Sequence, residues 1–180
     1  MLTIITPCCR QNSIPNLYNS IRFDKISKWI IVYDTSKDRQ YTKLYNDPKI
    51  LEVEVNKGIS GNPQRNYAIS LVNDGFIYFL DDDNIMHPNF WAMLDILDSK
   101  NIYTFDQMRT KTGTVLQGNN ICVGSIDTAM FLIHKKHVKD SKWIEHLYEA
   151  DGHFITELNN NNRGSHVYIN AICCYYNYLT

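Results

Sequence analysis

An α/β domain on a mostly parallel, doubly wound sheet is the fold this sequence predicts, and three observations carry it. Short apolar runs alternate with stretches of helical periodicity through the first half of the chain, which is the pattern of strand-helix units feeding a parallel sheet. Nothing in composition divides the chain, so one domain over 1–180 is expected. Its 180 residues, 44% of them apolar, suffice for one sizeable core.

From the N-terminus, "LTIIT" (2–6) reads as a buried strand stopped by Pro7, and "IPNLYNSIRF" (14–23) as a helix behind a Ser13 cap. "WIIVY" (29–33) is a second strand, "YTKLYND" is weakly helical, and "ILEVEV" (50–55) alternates as a strand does. Asn62-Pro63 opens a helix in "PQRNYAISLVN", with Pro63 at a favourable first position. Asn73-Asp74-Gly75 then turns into the strand "FIYFL" (76–80), and Pro88 begins another helix. Further on, "VGSIDTAMFLIHKK" (123–136) reads as a buried strand entered through Gly124-Ser125. "EADGHFITEL" (149–158) begins a helix with Glu149 and Asp151 in its first turn, where carboxylates suit the helix dipole. "NNNN" with Arg163-Gly164 reads as a loop. "YINAICCYYNYL" (168–179) reads as one or two strands whose Tyr175, Tyr176 and Tyr178 serve the core or a subunit contact, leaving a homo-oligomer open.

Charge narrows the function classes. With 18 basic against 19 acidic residues, general nucleic-acid or membrane-surface binding by bulk electrostatics is not expected. No stretch approaches the roughly 18 apolar residues of a membrane span. Five cysteines without a C-x-x-C spacing fit neither a disulfide framework nor a zinc site, so a cytoplasmic protein with thiols in or near its core is expected. His134 and His137 lack a carboxylate at zinc-enzyme spacing and read as solvated.

The chemistry concentrates at "FLDDDN", where a buried strand ends on Asp81, Asp82 and Asp83. Three adjacent carboxylates repel one another unless a cation or a donor network meets them. In open α/β sheets ligands sit beyond the carboxyl ends of the strands. Pro7 to Arg10, Asp34 to Lys37 and Asp81 to Asn84 should therefore line one crevice. In an extended segment Asp81 and Asp83 point one way, offering oxygen ligands to a hard cation. Met86 stands where an EF-hand loop needs glycine, so Mg2+ or Mn2+, completed by water and phosphate oxygens, is the expected ion. Arg65, one turn into a helix facing the crevice, offers a fork of donors to planar or anionic groups.

"ITPCCRQNSIPNLYNSI", "WIIVYDTS", "GNPQRNYAI" and "FIYFLDDDN", in this order, resemble the nucleotide half of a GT-A fold glycosyltransferase over roughly residues 2–90. The likeness is to family 2 enzymes and, in the Q-R-N and D-D-D-N motifs, to the β-1,3-glucuronosyltransferases. It implies a nucleotide-diphosphate sugar, most simply a UDP-sugar, held by residues 1–90, with acceptor and catalytic groups in 91–180. Thr6, Pro7 and Arg10 would sit at the nucleotide edge, Asp34 would accept from the base, and Arg65, supported by Asn62 and Asn66, would reach base or phosphate. Asp82 or Asp81 would contact the ribose, and Asp83, with Asp81, would hold the metal. His166 would add a late ligand. The resemblance also implies inverting transfer to a glycan or other hydroxyl acceptor, with Asp151 as general base and Glu149 as the second candidate. The other reading is a non-catalytic, metal-dependent nucleotide-sugar or carbohydrate binding module.

Overall fold

β1 (Leu2–Cys8) is buried along its whole length, and β2 (Lys28–Asp34) and β4 (Phe76–Phe79) flank it, both parallel to it. β3 (Ile50–Val55) continues the parallel set beyond β2. Strands covered on both faces need apolar residues at nearly every position, which is why β1, β2 and β4 read so plainly as apolar runs, while the partly buried β3 alternates. The structure is a computed structural model and describes residues 1–36 and 39–180. Lys37, expected in the crevice, lies outside the described residues.

α1 (Ile14–Ser20) and α2 (Asn62–Ser70) supply the crossovers. Ser13 precedes α1 without capping it through its side chain. Pro7 does not stop β1, which runs on to Cys8; a proline at a strand's end costs little where no ladder bond needs its nitrogen. The helix expected in "YTKLYND" is absent. The Glu52 carboxylate takes the N–H groups of Leu44 (3.0 Å) and Tyr45 (2.8 Å), while Tyr45 stacks on Tyr18 and Tyr41 on Tyr33. Those tertiary contacts override a weak helical preference.

The rest of the chain closes the sheet in a way its order does not suggest. After β5 (Ile85–Met86) and α3 (Pro88–Met93) come β6 (Ile102–Arg109) and β7 (Thr114–Leu116), then β8 (Phe131–His134), α4 (Lys135–Val138), α5 (Ala150–Asn161) and β9 (His166–Tyr176). The strand order is β3-β2-β1-β4-β8-β6-β9-β5, with β7 on β6. β8 runs antiparallel between β4 and β6, and β9 lies parallel to β6. So β1, β2, β3, β4, β6 and β9 share one direction, and β5, β7 and β8 oppose it: an α/β domain with a mostly parallel sheet, as expected. One core layer gathers Trp29, Tyr78, Phe90 and Phe105; the other gathers Phe79, Phe131, Trp143 and Phe154.

Three sequence readings change. The run 123–136 is not one strand: Thr128–Met130 form a single 3-10 turn begun by Asp127, and only Phe131–His134 join the sheet. Asn159 to Asn161 are not loop but the last turn of α5. His137 is buried, with Nδ1 3.1 Å from the Asn162 side chain and Nε2 2.9 Å from the Ser99 carbonyl oxygen. Of the cysteines, Cys8, Cys173 and Cys174 are buried and Cys9 is exposed. No helix among the described residues is long and apolar enough to cross a membrane.

Candidate functional site

A cleft of about 720 Å3 opens at the carboxyl ends of β1 and β4. Its volume suits a nucleotide-sized ligand. Three stretches form its first wall: Pro7 to Arg10 after β1, Asp34 at the end of β2, and Asp81 to Asp83 after β4.

β4 ends at Phe79, and Asp81 to Asn84 form a turn closed by Asn84 N–H on the Asp81 carbonyl (3.1 Å) rather than an extended continuation. The three carboxylates consequently take different partners instead of alternating. Asp82, 2% exposed, accepts the backbone N–H groups of Cys9 (2.8 Å) and Arg10 (2.7 Å) and the Arg10 guanidinium. It ties the β1 loop to the β4 turn. Asp83 pairs with the same guanidinium at 2.8 Å, and Asp81 pairs with Arg65. Burial, and then the neighbouring Asp81, push the Asp83 carboxyl up to about 6.

Arg65 is held in place from several sides. Gly61 starts its helix in the left-handed region (φ 75°), and a Cβ there would come within 2.7 Å of Pro7, so glycine lets α2 close on the end of β1. The buried Arg65 donates to the Ser60 carbonyl (2.8 Å), the Asn62 side chain (3.0 Å) and Asp81, and its guanidinium lies 4.6 Å from the centre of the Trp143 ring. Asn62 and Asn66 are not free to meet a nucleotide. Asn62 Nδ2 donates to the carbonyls of Ile144 (3.2 Å) and Leu147 (2.7 Å), and Asn66 exchanges two bonds with the Trp143 backbone. Both fasten α2 to the 143–147 segment. Asp34 accepts Ser36 N–H (2.8 Å) and pairs with Arg39 at 2.7 Å.

The second wall comes from the other half: Arg109, Leu116, Gly124 to Thr128, Tyr148, Glu149, Asp151, Tyr176 and Asn177 are on the cleft. Asp151 sits in the first turn of α5 and accepts the Gly152 N–H (2.7 Å). A Cβ on Gly152 would lie 2.7 Å from the Val123 Cα, so glycine lets this turn pack against the loop leading to Asp127. Burial raises the Asp151 carboxyl, the Gly152 N–H and Arg65 opposing the shift and Asp81 adding to it. Exposed Glu149 precedes the helix without capping it.

Sequence reasoning missed Asp127, Arg109 and Tyr148. Asp127 accepts Gln107 Nε2–H (2.9 Å) and Thr128 N–H (2.6 Å); burial, then Asp81 and Asp151, push its carboxyl up to about 6. A bulge between Phe105 and Gln107 shifts the register of β6 against β9, and Gln107 and Arg109, two residues apart, then reach the same side.

Thr35, Ser36 and Asn84, expected on the crevice, do not line the cleft, and two further expected residues lie elsewhere in the fold. Thr6 is fully buried, and its hydroxyl accepts the Trp29 indole N–H (2.9 Å), because alternation along β1 sends it into the core. His166 begins β9 beside Ile102, at the opposite edge of the sheet, and its Nε2 is 2.7 Å from the Thr104 hydroxyl. It cannot reach a metal at Asp83. Tyr176, read as a core or subunit contact, lines the cleft instead.

For a divalent cation, the donor set fits in part. Among the described residues no three His, Cys, Asp or Glu converge to hold one. Asp81 and Asp83 each engage one oxygen with an arginine, leaving one hard carboxylate oxygen apiece for an ion whose shell is completed by phosphate and water.

No known protein family and no curated protein matches this chain in sequence. Solved structures of S. aureus TarS share its fold. TarS 1-349 matches with TM-score 0.71 and 14% identity over 97% of this chain and 59% of that one. TarS 1-349 in complex with UDP gives 0.72 and 15% over the same shares, and the complex with UDP-GlcNAc gives 0.70 and 15%, covering 97% and 57%. The chain thus spans less than two thirds of the TarS structures it matches. The likeness fixes the architecture as a GT-A-type α/β fold.

Proposed function

We propose that the protein is a glycosyltransferase that binds a nucleotide-diphosphate sugar, most simply a UDP-sugar, in this cleft and passes the sugar to a hydroxyl acceptor. One observation carries the reading: two walls meet at the sheet's carboxyl edge, one presenting Arg10, Asp81 and Asp83, the other a raised carboxyl at Asp151. Support comes from TarS, whose structures with UDP and with UDP-GlcNAc share the fold.

Residues 1–90 take the nucleotide. Pro7, Arg10 and Asp34 edge its site, and Asp81 meets the ribose, since buried Asp82 is taken up by the Cys9 and Arg10 N–H groups and the Arg10 guanidinium. Asp83, with Asp81, would hold Mg2+ or Mn2+, which when bound neutralises the diphosphate as it departs. Arg65 acts through Asp81, fixing its carboxylate. Asp151 receives the proton of the acceptor hydroxyl while that oxygen bonds to the anomeric carbon. The bond from this carbon to the diphosphate oxygen breaks, and the diphosphate leaves with the electron pair. Displacement from the opposite face inverts the anomeric centre. A raised carboxyl in a partly closed site suits such a base, and Glu149 is the substitute if Asp151 only caps the helix.

Calorimetric titration with UDP, with and without Mn2+, on the wild type and on Asp83→Ala tests the donor site. Metal-dependent binding lost in Asp83→Ala is expected; no binding under any metal refutes the reading. Donor binding without any transfer or hydrolysis would favour a binding module instead.

A further inference from the structure

Tyr148 is 85% exposed, yet it lines the cleft beside Glu149 and Asp151. Its ring is presented rather than loosely hung. The preceding Leu147 carbonyl is held by Asn62 (2.7 Å), and the following Glu149 leads directly into α5. Tyr176 lines the same cleft, and the Arg109 guanidinium lies over its ring at 5.0 Å. Burial, followed by Asp127 and Tyr148, raises the Tyr176 hydroxyl, so Asp127 and Tyr148 both lie within electrostatic reach of Tyr176. Arg10, Arg39 and Arg65 are each paired with an aspartate, whereas Arg109 has no carboxylate partner among the described residues.

An open aromatic face ringed by carboxylates and a guanidinium matches one ligand chemistry well. A sugar ring has an apolar C–H face for the aromatic and outward hydroxyls for the charged groups, whereas a purely apolar ligand would offer nothing to the Glu149 carboxylate or the Arg109 guanidinium. We propose that Tyr148 and Tyr176 form the acceptor subsite, and that the acceptor is a glycoside whose ring stacks on Tyr148 and offers one hydroxyl to Asp151. Tyr176 and Arg109 close the far side and take the remaining hydroxyls. This rests on the transfer reading of the cleft, which it deepens by naming the acceptor class.

Saturation-transfer NMR on the full chain with UDP and Mn2+ tests it, using methyl β-D-glucopyranoside and its 2-acetamido analogue as probes and cyclohexylmethanol as an apolar ring of similar size. Ring-proton saturation of at least one glycoside is expected in the wild type and in Tyr148→Phe, which keeps the ring. In Tyr148→Ala it should weaken about tenfold, the size of one aromatic contact. UDP affinity by calorimetry should be equal in all three proteins. No glycoside saturation in the wild type, equal saturation in Tyr148→Ala, or stronger saturation of cyclohexylmethanol than of either glycoside overturns the proposal. Glycoside binding that depends on Tyr148 in a protein that fails to bind UDP would keep the sugar subsite and sink the transfer reading.

Discussion

The two walls of the cleft settle their charges in opposite ways. On the first wall every arginine is paired: Arg10 with Asp82 and Asp83, Arg39 with Asp34, Arg65 with Asp81. On the second wall, among the described residues, Asp127, Glu149 and Asp151 stand without a cationic partner, Arg109 stands without an anionic one, and Tyr148 faces water. The first wall is a finished scaffold whose internal donors hold it ready. The second keeps its carboxylates and its guanidinium out of ion pairs with one another. A binding surface assembled in advance loses little freedom when its ligand arrives, whereas unpaired polar groups favour whichever ligand satisfies them.

The largest expected effect probes the second wall. Asp151→Asn should lower transfer by about 10^2 to 10^4, the usual contribution of a general base, while calorimetry shows UDP binding unchanged. Equal activity in the variant would move the base to Glu149. Next in size, Arg65→Leu should loosen the finished wall: a buried partner of Asp81 is lost, costing about 3 kcal/mol and lowering the melting temperature by about 6–12 °C. An unchanged melting temperature would break the picture of a self-neutralised scaffold.

A smaller effect comes from pH. Folded Asp83 and Asp127 hold protons up to about 6, whereas the ordinary value is 3.8. Between these values the folded chain binds more protons than the unfolded one, so stability falls as pH rises through this window and levels off above about 6. Asp127→Asn should therefore raise the melting temperature near pH 7.5 by about 2–4 °C, corresponding to about 1 kcal/mol, and change little near pH 4. A variant less stable at pH 7.5 would mean that Asp127 is tied into the scaffold. Smallest of all, Lys57→Ala removes an exposed pair with Glu145 at 3.5 Å and should cost under about 0.5 kcal/mol by chemical denaturation.

The same division governs what the sequence revealed. β1 to β4 and α2 were legible because their signals are local: apolar runs, alternation in β3, and Pro63 at a helix start; the carboxylates after β4 were equally plain, but their turn was not, because an extended segment was expected there. The second wall was mostly hidden because long-range pairing assembles it. β8 inserts antiparallel between β4 and β6, and β9 arrives last to lie beside β6, so Arg109 and Tyr176 become neighbours across a register that no periodicity encodes. His166 was misplaced for a related reason. α5 continues through Asn161, so β9 starts at the far edge of the sheet instead of returning through a loop to the cleft. Thr6 was misread because a side chain on the inner face of β1 and one at the strand's open end are a single position apart.

The Arg10 guanidinium that rests on Asp83 has a consequence for the order in which ligands arrive. If Asp83 receives a dication, the ion competes with a resident positive group and gains little by displacing it alone. A diphosphate arriving together with the ion gives that guanidinium a new counter-anion, so each ligand strengthens the other's hold by the same factor. Titrating Mn2+ alone and then with UDP measures this coupling. On the proposed function, such a site would take free metal weakly and load ion and donor together.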